Sequence, residues 1–174
     1  MVYKVAFFDI NNIMKGIKYL LSVILVAASL VGCEYGEYDR IPPAAVRIEF
    51  GNAAMWSKYG VAAYPDHREF IKNENLPRGF TYVANSYTGY GGVMLLCTPV
   101  NTVLAYDLSC PVERSSLIRV YYDEEDLVLR CDECGSTYDV STGSPLSGVA
   151  ADSRYFLQPY AVYFSPMGGV LVTR

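Results

Sequence analysis

Apolar and polar residues alternate with a period of two along Val46-Arg47-Ile48-Glu49-Phe50, which predicts a half-buried β-strand. Short runs rich in β-branched and aromatic residues follow and predict further strands at 80–83, 93–97, 103–106, 117–122, 127–130, 160–164 and 170–173. The connectors carry turn chemistry: Gly89-Tyr90-Gly91-Gly92, Thr98-Pro99-Val100-Asn101, Asp123-Glu124-Glu125-Asp126 and Ser165-Pro166-Met167-Gly168-Gly169. This spacing predicts antiparallel hairpins in an all-β sandwich or barrel. Residues 52–59 predict one or two helical turns, and the polar stretch 67–76 predicts a loop. No internal repeat interrupts the pattern.

The N-terminal segment follows another logic. Lys15 and Lys18 precede a twelve-residue apolar run from Tyr19 to Leu30, which ends in Leu30-Val31-Gly32-Cys33. Spanning a bilayer takes about 20 apolar residues, so the run suits a signal peptide rather than a transmembrane helix. The tetrapeptide resembles the lipobox of bacterial lipoproteins, which implies cleavage after Gly32 and lipidation of Cys33. Met14 is the expected true start, because 1–13 lack the charged opening of a signal. The expected organisation is 1–32 as extension and signal, 33–45 as lipidated Cys and tether, and 46–174 as the folded domain. Residues 34–44 are polar and contain Pro42-Pro43, in keeping with a tether.

Composition sharpens this picture. Hydrophobic residues make up 52% of the 174-residue chain and mean hydropathy is +0.16, an excess concentrated partly in the signal. Removing 32 residues from 174 leaves 142, with Lys4, Lys15, Lys18 and Asp9 lost from the 14 basic and 18 acidic side chains. The mature balance of 11 against 17 is acidic, which excludes a nucleic-acid partner needing a basic face. Glu34, Glu37 and Asp39 after the lipidated Cys fit sorting to the outer membrane, facing the periplasm or the cell surface. The membrane, through lipid on Cys33, is the expected partner, and no feature specifies a protein or glycan. The 16 Tyr suit a covered sheet face, or aromatic platforms that stack sugars. The acidic run 123–126 lacks the spaced oxygens and glycine of a calcium loop, and a solvated hairpin tip accounts for it. The single His, His67, and the lack of any nucleophile–base pairing point away from an enzyme.

Four further cysteines carry the candidate chemistry. Cys97 closes the apolar run Val93-Met94-Leu95-Leu96-Cys97 and suits a small buried residue. Cys110 opens Cys110-Pro111-Val112-Glu113. Cys131 and Cys134 fall in Cys131-Asp132-Glu133-Cys134-Gly135-Ser136-Thr137-Tyr138-Asp139, which runs on to Gly148-Val149-Ala150. On these residues the chain resembles a Rieske-type [2Fe–2S] domain, from about Gly91 to Arg174. That family carries Cys-x-His in one loop, then Cys-x-x-His-Gly-Ser-x-(Phe/Tyr)-Asp and a later Gly-Pro-Ala corner. Cys110 and Cys131 match the two ligand cysteines, and Gly135, Ser136, Tyr138 and Asp139 continue in register. Gly148 and Ala150 match the corner, with Val149 in place of Pro. The resemblance implies a Rieske-like antiparallel β-sandwich or barrel with a small loop subdomain, and hydrogen bonds from Ser136 and Tyr138 to the sulfurs. The chain resembles a group of lipoproteins of two-membrane bacteria that share this degenerate pattern.

Both histidines are missing, with Val112 and Cys134 in their places, so an ordinary Rieske cluster is not expected. Three readings of Cys110, Cys131 and Cys134 stay open. The first is a zinc-type site, with Cys97, His67, Glu113 or water as the fourth ligand, since Cys-x-x-Cys-Gly resembles a zinc or rubredoxin knuckle. The second is an atypical all-cysteine [2Fe–2S] cluster completed by Cys97, and the third a disulfide of an oxidising compartment. The expected function is a membrane-anchored, non-catalytic binding or structural role with a metal or disulfide staple. Electron transfer through the atypical cluster is the alternative.

Overall fold

The alternation at the start of the domain folds as the pattern requires. In the computed structural model, which describes residues 38–174, β1 (Val46–Phe50) buries Val46, Ile48 and Phe50 and turns Arg47 and Glu49 outward. The two outer side chains pair at 2.8 Å. Such an exposed pair adds at most about 1 kcal/mol, whereas each buried side chain contributes about 1.5–3 kcal/mol, so the inner face positions the strand. The signal segment and Cys33 lie outside the described residues.

In chain order there follow α1 (Ala53–Tyr59), β2 (His67–Phe70), a 3-10 turn (Lys72–Glu74), β3 (Tyr87–Thr88), β4 (Val93–Cys97) and β5 (Val103–Asp107). Then come β6 (Tyr121–Asp123), β7 (Val128–Arg130), β8 (Thr137–Tyr138), β9 (Pro145–Ser147), α2 (Gly148–Ser153), β10 (Pro159–Phe164) and β11 (Val170–Thr173). Every strand pairing is antiparallel. The large sheet runs β2-β4-β5-β10-β11-β1-β3 and the small one β6-β7-β8-β9, which is the all-β architecture with a small subdomain that was expected. The two edges of the large sheet approach each other where the Lys72 amide donates to Thr88 Oγ1 at 3.3 Å and Lys72 Nζ to Ser86 O at 2.8 Å. The sheet is therefore curled nearly into a barrel.

Strand β4 divides the interior. All five of its residues are buried, and successive side chains point to opposite faces. Val93, Leu95 and Cys97 join Ile48, Phe50, Phe70 and Phe80 in the barrel core, while Met94 and Leu96 join Leu129, Tyr138, Cys110 and Cys131 in a second core beneath the small sheet. β5 repeats the division, with Ala105 on the barrel side and Tyr106 on the other.

Three local expectations are corrected. Residues 67–70, expected as loop, form β2 because they pair in register with β4 (Arg68 opposite Leu95) and bury Phe70. Residues 80–83, expected as a strand, form none: Phe80 plugs the barrel core against Phe50, Phe70 and Tyr59 without a backbone partner strand. The strand expected at 117–122 is shortened to β6 beginning at Tyr121, preceded by one isolated bridge between Ser109 and Arg119. The acidic tip behaves as expected: Arg130 bridges Asp123 and Asp126 across the β6–β7 hairpin. Order also begins ahead of β1, since Ile41 in the expected tether is buried to 2% exposure.

Candidate metal centre

Two loops at one end of the second core carry the three cysteines. The first follows β5 and is set by Asp107, a fully buried carboxylate. Asp107 Oδ1 accepts from the amides of Gly91 (3.0 Å) and Ser109 (2.7 Å), and Oδ2 from the Tyr90 amide (2.9 Å) and the Tyr160 hydroxyl. A buried carboxylate is tolerated only when its lone pairs are satisfied in this way. The result is a rigid bracket that fixes the backbone one residue before Cys110. Nothing in the sequence pattern singled out Asp107.

Each loop then turns on its cysteine in the same way. The Cys110 carbonyl accepts from the Arg114 amide at 2.9 Å, and the Cys131 carbonyl accepts from the Gly135 amide at 2.9 Å, four residues on in both cases. Inside these turns the amides of Val112 and Glu113 are directed at the Cys110 sulfur, and those of Glu133 and Cys134 at the Cys131 sulfur. The residue closing each turn is left-handed, Arg114 at φ 53° and Gly135 at φ 68°. Gly135 makes the conformation at no steric cost, whereas Arg114 adopts it against the usual preference of an L residue. The two loops are therefore paired knuckles. Only the second was legible, because the first has Glu113 and Arg114 where the second has Cys134 and Gly135.

Facing each other, the knuckles bring three sulfurs together. The ligand atoms of Cys110, Cys131 and Cys134 all lie within 4.8 Å of one another, and the Cys110 and Cys134 sulfurs are 3.6 Å apart. Four sulfurs around a tetrahedral ion with bonds of about 2.3 Å sit about 3.8 Å apart, a spacing that the Cys110–Cys134 pair matches. It is longer than the bonded sulfur separation of about 2.05 Å. Cys110 and Cys131 are fully buried and Cys134 is partly buried.

The surroundings grade the three thiols. Burial pushes the Cys110 thiol up to about 12, against the pull of the Glu113 and Val112 amides and the Tyr138 hydroxyl. Burial also raises Cys131, against the Cys134 and Glu133 amides and the neighbouring thiol. For Cys134 burial acts in the same sense, but hydrogen bonds from the Ser136 side chain and amide and from the other two cysteines outweigh it, holding this thiol below its ordinary value. Ser136 Oγ accepts the Ala150 amide at 3.1 Å, which leaves its own proton for the sulfur. Gly148 packs against Ser136, where a Cβ would come within 2.8 Å of Oγ. Tyr138 is fully buried with its hydroxyl 3.7 Å from the Cys110 sulfur, and burial together with the nearby thiols keeps it a phenol that donates. Ser136 and Tyr138 thus lie beside the sulfurs.

The expected fourth ligands are not brought in. Cys97 lies in the barrel core on the opposite face of β4, its sulfur 3.9 Å from Thr98 O and from Asn101 Oδ1. The reason is the pleat: the parity that buries Leu95 in the barrel carries Cys97 with it. His67 stacks on Tyr122 with ring centroids 4.5 Å apart, and Nδ1 lies 3.4 Å from Pro65 O. Glu113 contributes its amide, not its carboxylate. Among the described residues no other His, Cys, Asp or Glu joins the three sulfurs. A Rieske-type cluster does not fit these residues, since Val112 is an alkyl group packed against the core and cannot ligate iron. An all-cysteine [2Fe–2S] cluster needs four thiolates, and Cys97 does not supply the fourth.

No protein-family model matches the chain, and no curated protein matches it. Two solved structures are similar. One is the ferredoxin of carbazole 1,9a-dioxygenase from Nocardioides aromaticivorans IC177, at 16% identity and a TM-score of 0.38, over 73% of this chain and 96% of that one. The other is a putative NADH-dependent nitrite reductase small subunit from Mycobacterium tuberculosis, at 16% identity and a TM-score of 0.34, over 80% of this chain and 91% of that one.

Proposed function

We propose that this protein is a membrane-anchored, Rieske-like lipoprotein in which one thiophilic metal ion of the zinc type, held by Cys110, Cys131 and Cys134, staples the two loops where the related domains carry an iron–sulfur cluster. Its role is structural or binding rather than catalytic. The observation that carries this reading is the convergence of three sulfurs within 4.8 Å from two matched knuckles. The amides directed at the sulfurs offset the charge of buried thiolates, as a thiolate-bound ion requires. With three protein ligands, a fourth position is left for water or an exogenous donor, and the ion supplies cross-linking and Lewis acidity. The lipid anchor rests on the signal-like order of charge, apolar run and Leu-Val-Gly-Cys ending at Cys33.

Full-length protein purified without oxygen, with visible absorption, iron, zinc and free thiols measured per chain, tests the proposal. One zinc per chain on a colourless protein is expected. Two irons with visible absorption would establish the electron-transfer alternative, and metal-free chains with paired sulfurs would establish the disulfide.

A further inference from the structure

We propose that the cysteine-bearing end of the domain rests on the bilayer that holds the anchor, with Leu117, Leu146 and Val149 as the residues that meet it. The inference rests on lipidation at Cys33 and is independent of which ion the thiols hold.

Chain length sets the distance. From Cys33 to Tyr38 is a step of five residues, at most about 18 Å when fully extended. The residues after that step are tied to the first cysteine loop and to the segment that follows α2. Arg114, which closes the first knuckle, donates from Nε to the Arg40 carbonyl at 2.9 Å. The Arg40 guanidinium lies 3.9 Å above the Tyr155 ring, just past α2, whose Gly148 and Ala150 meet Ser136 beside the second loop. Tyr38 packs on Phe156 with ring centroids 4.8 Å apart, Asp39 approaches Arg174 at 3.5 Å, and Ile41 is buried. The chain therefore leaves the domain against the cysteine loops, and the lipid cannot be far from them.

The surface at that end suits an interface. Leu117 is 82% exposed, Leu146 53% and Val149 49%; Leu117 follows Arg114 by three residues in the first loop, while Leu146 lies in β9 and Val149 in α2, flanking Gly148, which packs on Ser136 beside the second loop. Arg114 and Arg154 are exposed there as well and match lipid phosphates. Asp132 and Glu133, exposed beside Cys134, stay hydrated, so the contact is made at headgroup level and not by insertion. A second exposed apolar group, Tyr163, Phe164 and Met167, lies at the opposite end of the β10–β11 hairpin. The tether contacts Phe156 before β10 and Arg174 after β11, and six strand residues span about 20 Å. That group faces away from the anchor, so whatever reaches the cysteine centre does so at the membrane surface.

Tryptophan fluorescence in vesicles tests this, because the chain has a single Trp, and Trp56 packs against Phe164 at the distal end. The lipidated protein beginning at Cys33, and the variants Leu117→Trp and Val149→Trp in separate elements, are reconstituted into phosphatidylethanolamine–phosphatidylglycerol vesicles with or without phosphatidylcholine brominated near the headgroup. The added tryptophans are expected to lose emission on brominated vesicles, while the unsubstituted protein emits equally on both. Equal emission from both variants in protein that floats with the vesicles would overturn the orientation. Protein that does not float at all would overturn the anchor itself, and the orientation with it, and flotation separates that failure from the first.

Discussion

The two faces of β4 open onto two interiors that are stabilised by different means. The barrel core is a hydrocarbon solid: Phe50 alone meets Trp56, Phe70 and Phe80 with ring centroids 5.0, 5.5 and 5.5 Å away. Its main strands run four to six residues and pair along most of their length. The core under the small sheet closes on strands of two or three residues and on two loops. Strands this short bury too little surface to hold a subdomain alone, and small units of this kind rely on a cross-link or a metal. The cysteines stand at that deficit. On the proposed function, one region is ordered by packing and the other by packing plus a sulfur-bound ion, and the difference is open to test.

The largest effect is expected from Phe50→Ala, which empties the junction of three rings and costs about 3–5 kcal/mol. Denaturant unfolding would show this loss with or without bound metal. A loss seen only in the metal-bound form would mean that the barrel is not self-sufficient.

Removing the ion should act on the other region. At a free-ion level a hundredfold above Kd, binding contributes about 2.7 kcal/mol, and a chelator removes it. Hydrogen exchange should then speed up at Arg114, Gly135 and β6–β9 while β1, β4 and β11 keep their protection. Uniform loss of protection across both sheets would merge the two regions into one cooperative unit.

Cys134→Ser should abolish tight binding of the ion, because it removes one of three thiolates and the one whose surroundings favour ionisation most. The remaining pair should still form the knuckle hydrogen bonds, so circular dichroism should change little.

The pH response should differ in sign between the metal-free and metal-bound forms. Burial lifts the Cys110 thiol from 9.0 to about 12 in the folded chain. The metal-free protein therefore keeps this contribution below about pH 9 and loses it as pH climbs toward 12. Metal binding needs the thiolates, so affinity should fall as pH drops. Thermal melts of both forms across pH would reveal the opposing slopes, and parallel slopes would argue against thiolate ligation. The smallest effect is expected from Cys97→Ser, which should leave metal content unchanged because Cys97 faces the barrel core.

The sequence was most legible where side-chain parity and burial coincide. β1, β4 and β11 match their predicted ranges because their alternation or their continuous apolar run reflects what they pack against. β2 was illegible because His-Arg-Glu-Phe owes its strand form to its neighbour β4, not to its own residues. Residues 80–83 misled because β-forming side chains can also plug a core from a loop, as Phe80 does. At the site, Cys110, Cys131, Cys134, Ser136 and Tyr138 lie together, the grouping that the resemblance, rather than spacing alone, had implied. Asp107 stayed hidden because an isolated Asp at a strand end resembles any turn residue, and three of its four donors, Tyr90, Gly91 and Tyr160, come from two distant stretches of chain. The exclusion of Cys97 was readable in principle from the pleat, once β4 was known to divide two cores.

The proposed function requires one ion among the three sulfurs. Extended X-ray absorption fine structure at the zinc edge of the anaerobically purified full-length protein tests it most directly. Three sulfurs and one lighter atom around each zinc, with metal–sulfur distances near about 2.3 Å, are predicted. A shell of nitrogen and oxygen only, or zinc absent beside an iron signal with iron–iron scattering, would contradict it.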